Sequence, residues 1–153
     1  MEEIQDDVFE CFMGGFKVLG KLFDLNKPGH MKLAGRTFKS ANDQRARENE
    51  KMPGGFVPGE YMYDEKNGIV RYSFLKCPNA EFAKKHHLEA VLPAMCNCDH
   101  IAMEKLHAKL VRTCTCGVGS ICDYCIMGDR NPAGDDYVLA EENGLLLSRE
   151  KSI

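Results

Sequence analysis

The sequence predicts an α+β domain in which N-terminal helices precede an antiparallel sheet with short intervening helices. Three observations carry that expectation. Apolar residues recur at three and four through the first part of the chain, the stripe of an amphipathic helix. Past Tyr61 the period falls to two, and Asn67-Gly68, a dipeptide that tolerates positive φ, lies between two alternating runs. At 153 residues the chain has the length of one ordinary domain and can bury a core without disulfide or metal staples.

The first helix is expected over 2–25, with Ile4, Val8, Phe12, Phe16, Leu19 and Phe23 on its stripe and Cys11 among them as a small core residue. Pro28 and Gly29 end it. A second helix runs over 30–51, opening with Met31, Leu33 and Phe38 and turning almost wholly charged from Asn42 to Lys51, a solvated face or one that leans on a partner. His30, near its start, has no companion ligand and no assigned role. Prolines and glycines make 52–59 irregular, a connector or a lid over a site. Strands at 61–64 and 69–76 follow, the second with Val70, Tyr72 and Phe74 on one side and Ile69, Arg71, Ser73, Leu75 and Cys77 on the other.

Helices over 80–86 and 88–95 come next, the latter kinked or restarted at Pro93, and Asp99 is placed to cap whatever follows. Residues 106–116 and 121–127 alternate around Gly117-Val118-Gly119-Ser120 and form a hairpin. Closed symmetrically, it pairs Arg112 with Cys125. Arg112, Cys114, Cys116, Asp123 and Cys125 then share one face, and Thr113, Cys122, Tyr124 and Ile126 the other, an arrangement that a one-residue slip would regroup. The domain is expected over 1–128, its motifs over 68–128, with 129–153 a polar tail in which Leu145 to Leu147 makes a final strand or a docking segment.

A net charge of −3 and scattered Lys and Arg exclude a basic field for nucleic acid. The acidic start Met-Glu-Glu-Ile-Gln-Asp-Asp lacks the pattern of a secretory signal, and no apolar run approaches the roughly 18 residues of a membrane span. A cytoplasmic protein is expected, without membrane or nucleic-acid partners, and a homo-oligomer is left open. In a reducing compartment cysteines serve as thiols, metal ligands or catalytic groups. Seven of the eight lie between Cys77 and Met127, so the chemistry is sought there.

In order along the chain stand Cys77-Pro with Glu81-Phe82, Cys96 with Asp99, Arg112-Thr113 with Thr115, Gly117, and Cys122-Asp123-Tyr124. This succession, over about residues 68 to 128, resembles the L-2-amino-thiazoline-4-carboxylic acid hydrolase family. The resemblance implies a hydrolase that opens a small cysteine-derived cyclic amidine bearing a carboxylate, to N-carbamoyl-L-cysteine in the family's case, with Cys77, Cys96, Asp99, Arg112, Thr113, Cys122 and Asp123 as catalytic candidates and no cofactor. The chain departs from the pattern by its shortness and by additional cysteines at 98, 114, 116 and 125.

Such chemistry needs a nucleophile at the amidine carbon, a proton for the leaving atom and a hold on the carboxylate. Arg112 offers a two-pronged carboxylate clamp. A thiolate among Cys77, Cys96 and Cys122 could attack directly, or Asp99 or Asp123 could activate water. A second reading takes Cys96, Cys98, Cys114, Cys116, Cys122 and Cys125 as ligands of zinc or an iron-sulfur cluster, although the C-x-C spacing meets a four-thiolate site only in part. A third, a loose likeness to small-molecule-binding domains of the 4-vinyl-reductase type, makes the protein a non-catalytic sensor.

Overall fold

The computed structural model describes residues 18–151, and the protein has the expected α+β architecture of N-terminal helices followed by an antiparallel sheet with short helices between its strands. Most of the helix expected over 2–25 lies outside the described residues; 18–22 are helical. Helix α1, Pro28–Lys51, has its proline in the first turn, where a missing N–H costs nothing, and the Nδ1 of His30 accepts the Asp24 backbone N–H at 3.0 Å. His30 thus fastens the turn before the helix.

Strands β1, Val57–Asp64, and β2, Ile69–Lys76, meet through the turn at Gly68, whose φ of 63° explains the glycine. β1 begins four residues earlier than expected. Pro58 and Gly59 are accommodated because β1 is the sheet's edge strand and its register shifts twice between Val57 and Tyr61, so the proline's missing donor breaks no interior ladder. After β2 come α2, Pro78–His86, a 3₁₀ turn at Glu89–Val91, α3, Leu92–Cys96, and α4, Cys98–Lys105. Pro93 sits in the first turn of α3, so the chain restarts there rather than kinking.

Strand β3, Ala108–Val111, is shorter than expected, and β4, Cys122–Gly128, lies between it and β2, giving the order β1-β2-β4-β3. The β3–β4 register differs by one residue from the symmetric hairpin: Val111, not Arg112, pairs with Cys125. The cause is Asp123. Its carboxylate accepts the backbone N–H groups of Thr113 at 3.0 Å and of Cys114 at 2.6 Å while its own N–H reaches the Cys114 carbonyl at 3.3 Å, so side-chain bonds and one backbone bond join the two segments beyond Val111. The slip turns Arg112 to the same face as Cys122, Tyr124 and Ile126.

That face carries the main core, in which Val70, Leu110 and Ile126 pack under Met31 of α1 and Ala102 and Met103 of α4. On the reverse face Ile69, Val111 and Met127 cluster with Cys125 and Tyr137. The segment expected as a tail holds a second sheet, the hairpin β5, Tyr137–Glu142, and β6, Leu145–Glu150, turning at Asn143-Gly144, both at positive φ. It is fastened to the body. Ser148 exchanges hydrogen bonds with the backbone of Arg112, the Asn97 side chain bonds Gly144 and Leu146, and His100 Nε2 lies 3.0 Å from the Leu146 carbonyl. No helix among the described residues is long and apolar enough to cross a membrane.

Candidate active site

A cavity of about 510 Å³ lies between the main face of the sheet and the helices, a size suited to a small molecule. The sheet supplies Tyr72, Phe74, Cys122 and Tyr124; Cys77 enters from the start of α2, Cys96 from the end of α3, and Asp99 from the first turn of α4. The three cysteines expected to gather therefore line one space. A larger cleft of about 740 Å³, between Met31, Tyr63, Asn67 and Arg130, has no cysteine in its wall. Volume alone does not make a site; convergent chemistry does.

Strand alternation places Cys77 on the opposite side from Phe74. Instead it packs with Phe74, Ala80 and Cys122, because the chain leaves the ladder after Lys76 and Cys77 becomes the N-cap residue of α2. The Cys77 and Cys122 side chains pack together, and the neighbouring Cys122 thiol and the nearby amides of Ala80 and Asn79 at the helix start favour negative charge on Cys77, so its thiol is lowered despite its burial. Neither amide reaches full capping geometry. Beside Cys77 and buried, the Cys122 thiol is raised, and its sulfur accepts the Cys116 N–H at 3.1 Å. Burial pushes Cys96 up to about 11. Of the three cavity cysteines, Cys77 is the one at a helix start.

Asp99 does not cap a helix: it projects from α4 and meets two donors at a single oxygen. Arg112 Nη1 lies 3.0 Å from Oδ2 and the Tyr124 hydroxyl 3.1 Å from the same atom. Oδ1 accepts nothing from the described residues. Burial raises the Asp99 carboxyl above its usual range against the opposing pull of Arg112 and Tyr124, which suits a group that gives and takes protons. The Tyr124 ring stacks on Tyr72 with centroids 4.6 Å apart, and burial raises its hydroxyl.

Arg112 is only 1% exposed. Its Nη2 donates to the Cys96 carbonyl at 2.9 Å and its guanidinium carbon lies 5.8 Å from the Tyr124 ring centroid. Both Nη atoms are engaged by the protein, Nε has no partner among the described residues, and Arg112 is not among the residues lining the cavity; its observed contacts fix Asp99 and the end of α3. Asp123 and Thr113 likewise are not brought to this cavity. The Asp123 carboxylate accepts the Thr113 hydroxyl at 2.7 Å along with the two amides above, on the side of the strand away from Cys122.

The six candidate metal ligands do not converge. Cys98 donates to the Ala94 carbonyl of the preceding helix, Cys116 to the Phe74 carbonyl, Cys114 lies beside Gly119, and Cys125 faces away from Cys122. Among the described residues no group of three or more His, Cys, Asp or Glu side chains could hold a metal ion.

Arg45 is not among the sequence candidates, and Phe56 belongs to the 52–59 stretch expected as a connector or a lid; both line the cavity. Phe56, from the irregular stretch after α1, packs at 5.0 Å from Phe74, and Arg45 of α1 sits with its guanidinium carbon 5.5 Å from the Phe56 centroid and 5.3 Å from that of Phe74. A signal for Arg45 existed: it continues the helical phase of Phe38 and Ala41, which also line the cavity. His100, also missed, is buried, and burial with the nearby Arg112 charge lowers it to about 4, so it is neutral. Comparison with protein-family models, with curated proteins and with solved structures returns no match.

Proposed function

We propose that the protein is a thiol hydrolase that opens a small cyclic amidine derived from cysteine, the activity implied by its resemblance to the L-2-amino-thiazoline-4-carboxylic acid hydrolase family. The observation that carries the reading is the meeting of a helix-start thiol, Cys77, with an anchored carboxyl, Asp99, in one cavity. The Cys77 thiolate adds to the amidine carbon; the ring C–S bond then breaks, and Asp99 protonates the departing sulfur. Asp99, now a carboxylate, takes a proton from water as the water oxygen bonds to the same carbon. Loss of Cys77 leaves a urea, and every atom of substrate and water is accounted for in the ring-opened product.

Tyr124 and Arg112 hold one Asp99 oxygen, leaving the other for the substrate. The seven described cysteines are free, which suits a reducing compartment such as the cytoplasm. Incubation with 2-aminothiazoline-4-carboxylic acid should release one new thiol per turnover, and Asp99→Asn should slow that release by 10²-fold or more, on the order of a general acid–base contribution. Absence of thiol release from wild type removes this substrate class.

The largely apolar wall of Phe38, Phe74, Leu110 and Ile126 favours a second reading, a sensor that binds without turnover. Stoichiometric binding of a small apolar ligand together with inert Cys77 would select it.

A further inference from the structure

We propose that Arg45 is the receptor for the substrate's carboxylate. The inference rests on the hydrolase reading for the identity of the ligand, but its geometry stands apart from the reacting groups. With Arg112 committed to Asp99 and the Cys96 carbonyl, Arg45 is the one cationic side chain lining the cavity among the described residues.

Its fork is free. Among the described residues no carboxylate lies within ion-pair distance of it, and Glu48, one turn further along α1, accepts instead from Gln44 Nε2 at 2.7 Å. The guanidinium nevertheless has fixed surroundings, held 5.5 and 5.3 Å from the centroids of Phe56 and Phe74. Aromatic faces hold a cation without using its N–H groups, so the donors that would bind two carboxylate oxygens side by side are left available. Lysine could not serve equally, since it has neither the plane to lie on the rings nor the paired donors.

Arg45 is half-buried, which strengthens its pull on an anion relative to a surface arginine while keeping it reachable. Its charge is felt at Asp99, whose carboxyl it draws down, so an acid held by Arg45 sits within the field of the reacting groups. The ligand class that follows is a small organic anion with its reactive carbon near the carboxylate, rather than a neutral heterocycle.

Two alkylating reagents of nearly equal size test this on the full-length protein. Iodoacetate carries the carboxylate and iodoacetamide does not, and the rate at Cys77 is read for each by peptide mass mapping. Wild type should favour iodoacetate relative to free cysteine. Arg45→Ala should lower the ratio of the two rates by about tenfold, the size of one charge-assisted contact, with iodoacetamide nearly unaffected, and Arg45→Lys should fall between. An unchanged ratio in Arg45→Ala overturns the proposal.

Equilibrium dialysis separates this result from the fate of the hydrolase reading. The Cys77→Ser variant should bind 2-aminothiazoline-4-carboxylate in preference to 2-aminothiazoline, and adding Arg45→Ala should abolish the preference. That outcome upholds Arg45 even if wild type shows no turnover. Equal binding of the two compounds, or a preference that survives Arg45→Ala, overturns it.

Discussion

Replacing Arg112 by methionine tests how the site is held together. Methionine fills most of the same volume but removes two hydrogen bonds, at 3.0 Å to Asp99 and 2.9 Å to the Cys96 carbonyl, from a side chain that is 1% exposed. Breaking a buried ion pair from one side costs about 3–5 kcal/mol. The Asp99 side chain is 35% exposed, so its orphaned carboxylate can rehydrate through the cavity, which places the expectation at the low end, about 3 kcal/mol. For a domain of this size that lowers Tm by roughly 6–12 °C. Asp99→Asn keeps an oxygen in place and should cost only about 1 kcal/mol. The double variant Arg112→Met with Asp99→Leu should cost less than the sum of the single changes, since neither partner is left alone. Urea unfolding at constant m-value measures all of these. An Arg112→Met protein within 1 kcal/mol of wild type would refute the claim that Arg112 is the anchor of Asp99.

Other perturbations read other parts of the arrangement. The unfolded chain protonates His100 near its ordinary 6.5, whereas the folded chain resists until about 4; stability from this group is therefore full above 6.5 and is lost as the pH falls from 6.5 towards 4, by about 3 kcal/mol in total. Acid titration of stability in His100→Leu should show a correspondingly flatter slope in that window, and an identical slope would contradict the assignment. Cys122→Ala removes the thiol packed against Cys77, so the pH profile of Cys77 alkylation should move to higher pH; an unmoved profile would mean that Cys122 is only packing. Protein purified without oxygen should carry no stoichiometric zinc or iron, as the scattered thiols imply, and one metal per chain by elemental analysis would restore the ligand reading.

Local pattern foretold much of the fold, and the failures share a cause. The helix over 30–51, the Asn67-Gly68 turn and the alternation of β2 each follow from neighbours in sequence. Asn143-Gly144, flanked by Tyr137–Glu142 and Leu145–Glu150, is the same kind of turn and was equally readable, but the polar residues of 129–136 hid β5 behind the appearance of a tail. Pairing of β2 with β4 joins residues about fifty positions apart, and no local period encodes it. The site divides along the same line. Cys77, Cys96, Asp99 and Cys122 were visible as reactive types, yet their common cavity depends on that pairing. The role of Arg112 turned on a one-residue register that the Asp123 side chain sets, and Arg45 was obscured because a charged stretch of helix reads as solvated unless its phase is followed.

The most direct measurement is mass mapping of the protein quenched during incubation with 2-aminothiazoline-4-carboxylic acid, beside the thiol released by Cys77→Ala. An adduct with the whole mass of the substrate on Cys77, and no release from the alanine variant, is the predicted result. Release from Cys77→Ala at the wild-type rate would contradict the account.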